Sequence, residues 1–447
     1  MLISHDSFSR RLSELYNNII TSNAFYPTLI SVVYVLLVIG LLNFDHSSTA
    51  QALQKEYALL HFKEASTAQS ILSTLTTGMI SLIALSFSMV MVVLSQASNS
   101  TSPKVTQGLI TRKSHQFVLG NQVGAIIYCL VLLLFLRARE VAIIPSFSIL
   151  ISVVLGIWSI GLFVFFIHSI SNAIQVPNII RDIHITTQKA LRRLPREADG
   201  KTAPDVTQLS NLQHAYITDQ PGFLQEVQAK RIVKVASRYN AVIRMHGYLT
   251  DYIVTGQPLF HASISSTDLP EKAKKIIYNS IVFYPTENVH RNYEYGFTQL
   301  SEVAVKALSP GVNDPGIACL CIQYLADLFV VLYDINEKRV FTDEEGTVRL
   351  VVNKITFKDL FNLCVTPIRQ YGVKDISVAR GLLGLMAVLG SRDAVEQRHQ
   401  QVLNQQAAAV LAGIEDKLTG ETDKDAINSM IEKMRRVDHG YFCIQTV

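Results

Sequence analysis

Residues 72–94 read LSTLTTGMISLIALSFSMVMVVL, and none of them is an Asp, Glu, Lys or Arg. A helix rises ~1.5 Å per residue and the hydrocarbon core of a bilayer is ~30 Å thick, so about 20 such residues cross it. Working outward, three more stretches share this character: Phe25–Phe44, Val118–Leu136 and Ile143–Ile167. One run of this kind is as readily a buried core helix. Four in succession predict four transmembrane helices.

The composition agrees. Of 447 residues, 49% are hydrophobic and 17% charged, with a mean hydropathy of +0.26. That excludes a disordered chain and argues against a wholly soluble enzyme. The apolar excess lies before His168, and residues 168–447 carry 31 Lys and Arg against 30 Asp and Glu. A net charge of +4 gives no footprint for nucleic acid, and none is expected as a partner.

Lys and Arg in the flanks set the expected orientation. Arg10, Arg11, Lys104, Arg112, Lys113, Arg181, Lys189, Arg192, Arg193 and Arg196 fall on one side, and Lys55, Lys63, Arg137 and Arg139 on the other. By the positive-inside rule both termini are cytoplasmic, which suits an even number of spans. The leader before the first run is too long for a signal peptide, despite the small residues Ala50 and Ala52 beyond Asp45, so the span is expected to be retained.

No ionisable residue lies within the spans, so proton-coupled pumping lacks its usual groups. The second span instead carries Ser70, Thr74, Thr77, Ser81, Ala84, Ser88 and Ser95 at helical spacing. Thr74, Thr77, Ser81 and Ser88 are therefore either a hydroxyl-lined path or a close helix contact. Gly120 and Gly124 form a GxxxG packing signal, and Trp158, lying mid-span, is expected to pack rather than anchor.

The expected fold is thus a membrane α-helical domain of four transmembrane helices followed by an α+β cytoplasmic region. The divisions are a tail at 1–24, the membrane domain at 25–168, a connecting helix and linker at 169–205, a small β-rich domain at 206–285 and a mainly helical domain at 286–447. Strands are predicted at Phe223–Val227, Ala241–Met245, Tyr252–Val254 and Ile281–Tyr284 around a helix near Ile232–Tyr239. A hairpin is predicted with strands Val340–Thr342 and Thr347–Val352. Helices are predicted at Tyr293–Ala307, Pro315–Ile335, Phe357–Tyr371, Ile376–Leu389 and Ala394–Leu418. Ile317–Tyr333 is apolar enough to imitate a fifth span, but Gln323, Asp327 and its shortness favour a core helix.

Ala307–Gly316 reads ALSPGVNDPG. Ser309-Pro310-Gly311 ends one helix, Asp314 caps the next and Pro315 takes its first position. A helix N-terminus beside Gly311 and Asn313 also invites a small anion. This decapeptide, within Glu302–Ala318, together with Leu119-Gly120 and Val254–Leu259, resembles a bacterial membrane-protein family known as domain of unknown function 2254. Ala307, Leu308, Ser309, Pro310, Gly311, Asn313, Asp314, Pro315 and Ala318 match its signature, whereas Ile317 stands where the family usually has Thr. The resemblance implies a bacterial inner-membrane location and no assigned activity, with Arg291 and Glu294 loosely matching an upstream Arg and acid.

Cys129, Cys319, Cys321, Cys364 and Cys443 form no metal framework, His290 has no partner pattern, and no nucleophile or phosphate-loop motif occurs. No catalytic residue, cofactor or metal is expected. Two functions remain: a homo-oligomeric channel or passive conduit lined by the hydroxyl stripe, and a non-conducting scaffold or sensor binding a small anion or protein partner at Ser309–Pro315. A membrane enzyme using Arg291, Glu294 and Asp314 is a weaker third.

Overall fold

The computed structural model describes residues 25–56, 64–100, 113–138, 144–173, 175–194, 212–219, 221–265, 267–284, 289, 292–335, 338–394, 396–415, 420–437 and 442. Residues 1–99 with 105–175 form one compact unit, and residues 100–104 with 176–447 another. Arg10, Arg11, Lys63, Lys104, Arg112, Arg139, Arg196, His290, Arg291 and Cys443, and the expected linker at 195–206, lie outside the described residues.

The first unit consists of helices α1 (Phe25–Asp45), α2 (Ser48–Glu56), α3 (Ala65–Ser100), α4 (Lys113–Ala138) and α5 (Ser146–Ala173). The first three predicted spans lie on α1, α3 and α4, and the fourth lies on α5 from Ser146 onward. Val38, Leu72, Tyr128, Cys129, Leu132 and Ile149 share one core, and Val118, Leu162, Phe166 and Ile170 a second. Outward faces carry Leu29, Val33 and Leu36 on α1 and Ile157, Val164 and Phe165 on α5. A surface this apolar is unfavourable in water and matches lipid. Trp158 belongs to it, 52% exposed, so the expected packing role is corrected: its position on α5 faces away from the core.

The GxxxG does pack. A Cβ on Gly120 would lie 2.9 Å from the Pro27 Cα, and one on Gly124 would lie 2.6 Å from the Tyr34 ring, so α4 meets α1 backbone to backbone. The Tyr34 hydroxyl then donates to Asn121 Oδ1 at 2.9 Å.

The second unit opens with α6 (Val176–Leu191) and continues β1 (His214–Ile217), β2 (Gly222–Val227), α7 (Ala229–Arg238), β3 (Ile243–Tyr248), β4 (Tyr252–Ile253), β5 (Pro258–Ala262), α8 (Glu271–Asn279) and β6 (Ile281–Tyr284). Then come α9 (Glu294–Ala307), α10 (Pro315–Tyr333), β7 (Lys338–Thr342), β8 (Val348–Asn353), α11 (Phe357–Gly372), α12 (Ile376–Asp393), α13 (Gln400–Ile414) and α14 (Glu421–Val437). Five strands form a sheet in the order β1-β5-β3-β8-β7, and three form a second in the order β4-β2-β6. β8 runs parallel to β3 and antiparallel to β7. Leu350, Val351 and Val352 are all buried, the pattern of an inner strand covered on both faces. The hairpin expected within the helical region thus completes the sheet, which crosses the 285/286 division. β1, β5, α8 and α14 were not expected; β5 opens on Pro258, a strand-breaking residue tolerated at a first position.

Among the described residues five helices are long and apolar enough to cross a membrane: α1, α3, α4, α5 and α10. α10 differs from the others in its neighbours. Its Phe329 packs on Phe297, Phe357 and Phe361 at ring-centroid distances of 4.7, 5.4 and 5.2 Å, on α9 and α11. Its exposed face carries Gln323 and Asp327.

Candidate functional site

The hydroxyl stripe lies on α3. Thr74, Thr77, Ser81 and Ser88 are all exposed, as are Ser70, Ala84 and Ser95. At about 3.6 residues per turn, this stripe points opposite to Ala68, Leu72, Thr76, Met79 and Ser86, the buried positions of the same helix. The packed side meets α5, where a Cβ on Gly156 would lie 2.8 Å from Leu75 Cδ2 and Ser159 Oγ donates to Met79 Sδ at 3.6 Å. Among the described residues, therefore, the stripe packs on no other helix of the chain. Thr74, Thr77 and Ser81 donate to the carbonyls of Ser70, Ser73 and Thr77 at 2.9 Å each, which satisfies each proton and leaves oxygen lone pairs facing outward. Gly78 sits beside them with nothing within 4 Å of an added Cβ.

Deeper in the bundle, Gln122 on α4 is fully buried, and neither amide atom has a hydrogen-bond partner among the described residues. Asp45, just past the first apolar run, is also fully buried and closes the start of α5. Its carboxylate accepts from the amides of Phe147 and Ser148 at 3.0 Å each and from Ser148 Oγ at 2.6 Å. It serves orphan amides and the positive end of the helix dipole together.

In the second unit the corner is built as its residue types require. Ser309 Oγ donates to the Lys306 carbonyl at 2.6 Å, the amides of Val312 and Asn313 donate to the Ser309 carbonyl, and Asp314 N donates to the Ala307 carbonyl at 2.8 Å. Asn313 takes φ +48°, a conformation asparagine tolerates. Asp314 Oδ1 accepts from Ile317 N at 3.1 Å, and Pro315 has no N–H to offer. A carboxylate thus already occupies the anion-binding end of α10, and a second negative group there would be repelled. Gly311 and Asn313 are exposed beside it.

Glu294 is brought nowhere near this corner. It begins α9 and Ser309 follows that helix's end, so 14 residues of helix separate them by about 20 Å. Glu294 is buried, while Arg291 lies outside the described residues. A cluster that the sequence did not suggest joins α6 to α10: His184 Nε2 meets Asp327 Oδ2 at 2.6 Å, Gln188 donates to the same oxygen at 3.0 Å, and the His184 ring stacks on Tyr324 at 4.5 Å. The residues are 139 and more apart in sequence, and only the charge inside an apolar helix hinted at it.

Among the described residues no three His, Cys, Asp or Glu side chains gather as a metal set. Burial raises the thiol pKa of Cys319, Cys321 and Cys364, which disfavours the thiolate.

Residues 21–388 match the family described as predicted membrane protein DUF2254. The chain belongs to that family. The match runs from the first apolar helix through the corner and into α12. Two relatives, the uncharacterised protein Mb1321c of Mycobacterium bovis and the uncharacterised protein Rv1290c of Mycobacterium tuberculosis, are each 23% identical over 371 residues, covering 80% of this chain and 70% of theirs. No solved structure matches this chain.

Proposed function

We propose that this membrane protein assembles with copies of itself through the outward face of α3, and that this face lines a passive path for small polar solutes. One observation carries the reading: Thr74, Thr77, Ser81 and Ser88 are exposed on a helix whose opposite side makes its packing within the chain. Elsewhere the outward surface of the first unit is built from Leu, Ile, Val and Phe, side chains suited to acyl chains. A row of hydroxyls gains nothing there, whereas between subunits it permits close approach and accepts hydrogen bonds from water or solute.

On this reading α1, α3, α4 and α5 cross the bilayer of the bacterial inner membrane with both termini inside, as the bias of Lys and Arg in the flanks favours. α10 stays with the second unit, supported by its aromatic packing and by Asp327 paired to His184. Proteolysis of intact spheroplasts tests the topology: the second unit is expected to resist protease added outside.

Proteoliposomes holding the full chain test the conduit. Release of a trapped small neutral solute is expected, and Ser81→Leu with Thr77→Leu is expected to block it. An oligomer that releases nothing would favour the scaffold reading instead.

A further inference from the structure

The net positive charge of residues 168–447 is concentrated on two helices. α7 carries Lys230, Arg231, Lys234 and Arg238 and no acidic residue; α8 carries Lys272, Lys274 and Lys275 and one acid, Glu271, which pairs with Lys274 at 2.6 Å. Elsewhere in residues 168–447, 24 Lys and Arg face 29 Asp and Glu, so a basic pair of helices sits on an otherwise acidic body. The two helices pack against each other and bury Ile232, Ala236, Ala273 and Ile277 in one core. That packing turns Lys230, Arg231, Lys234, Arg238, Lys272 and Lys275 outward, all exposed. None of the six makes an ion pair among the described residues, and Ile276, 38% exposed, lies beside Lys272 and Lys275.

We propose that the α7–α8 face binds anionic phospholipid headgroups. Six unpaired cations on two adjacent helices repel one another and are costly unless anions cover them. Basic residues around an exposed apolar side chain fit the interface of an anionic bilayer, where phosphates meet the charges and the apolar group reaches the acyl boundary. Membership of a membrane-protein family supplies proximity: a chain with apolar spans holds its remaining residues at high effective concentration near lipid. Single-stranded nucleic acid is the poorer fit, because Tyr239 and Tyr278, the aromatics beside this face, pack against the core and offer no stacking platform.

The test uses the full chain in nanodiscs of phosphatidylcholine alone or with about 30% phosphatidylglycerol, a content typical of a strongly anionic leaflet. Acetylation rates are read by mass spectrometry at Lys230, Lys234, Lys272 and Lys275, with the exposed Lys424 and Lys433 of α14 as references. The four α7–α8 lysines are expected to react several-fold more slowly in anionic discs only, and high salt is expected to erase the difference. Replacing Lys230 and Lys234 by Gln, exposed positions that leave the core intact, is expected to weaken protection of Lys272 and Lys275 about fivefold per charge, the equivalent of ~1 kcal/mol for each basic residue at such a surface. Equal rates in the two discs would overturn the proposal. So would protection in neutral discs by an added oligonucleotide without protection by phosphatidylglycerol.

Discussion

Asp45 at the end of α1 holds Ser148 in the first turn of α5 by two hydrogen bonds, from its amide at 3.0 Å and its hydroxyl at 2.6 Å. One buried acid at the edge of the apolar region thus fixes where the fourth apolar helix begins and ties it to the first. Asp45→Ala leaves two buried amides and the Ser148 hydroxyl without an acceptor, and the expected loss is about 2 kcal/mol, the scale of a lost cap with unsatisfied donors. Thermal unfolding of the purified protein in neutral detergent measures it, and Asp45→Asn is expected to lose less because one acceptor oxygen remains.

Opposite outcomes are expected at two glycines, Gly124 in the α1–α4 contact and Gly78 on the outward side of α3. Gly124→Val drives a branched side chain into the Tyr34 ring, already 2.6 Å from a bare Cβ, and is expected to cost 1–3 kcal/mol or more as overpacking. Gly78→Ala meets nothing within 4 Å and is expected to leave the fold of the subunit unchanged or slightly more stable. Melting temperatures of the two variants in the same detergent decide the matter.

Gln122 predicts a gain. A buried amide with both ends unserved carries a desolvation cost that an apolar side chain of similar volume avoids, so Gln122→Leu is expected to stabilise the first unit by roughly 1 kcal/mol. A higher melting temperature is the readout. If activity falls as stability rises, Gln122 is retained for function rather than for folding.

The β7–β8 hairpin predicts an acid response. The Arg349 guanidinium, bonded to Asp343 at 2.6 Å, holds the Asp343 carboxyl below the ordinary carboxylate range, helped by the amides of Thr347 and Glu345. A carboxyl whose pKa is lowered in the folded chain stabilises it above the unfolded value and loses that contribution as pH falls through the folded value. The hairpin is expected to become protease-sensitive below the carboxylate range, and Asp343→Asn is expected to show that sensitivity already near neutrality.

Gly296 marks where α9 meets α6. An added Cβ would strike Thr187 Oγ1 itself, so Gly296→Ala is expected to separate the two helices, and Thr187→Ala in the same chain to restore much of the loss. A double-mutant cycle on melting temperature checks the coupling.

Much of this architecture is legible in the sequence because it rests on local pattern. Apolar runs free of charge mark the long helices, Gly120 and Gly124 announce a close contact, and Ser309 to Pro315 spell out a helix end and a helix start. The turn residues 343–346 likewise place the β7–β8 hairpin. What escaped depends on partners far apart in the chain. β8 finds β3 about a hundred residues away, Asp45 finds Ser148 across three intervening helices, and His184 finds Asp327 from another helix altogether. β5 escaped because Pro258 argues locally against a strand. The hydroxyl stripe was visible, but only packing reveals which side of α3 it occupies, since spacing gives a face without saying what that face meets.

The hydroxyl face of α3 is expected to meet the same face of another copy. Cysteine cross-linking in native membranes tests it directly, in a chain whose five native cysteines are replaced by Ala. Thr77→Cys and Ser81→Cys are expected to give dimer-sized disulfide products, while Val164→Cys on the outward face of α5 gives none. Cross-linking at Val164 with none at Thr77 and Ser81 would contradict the account.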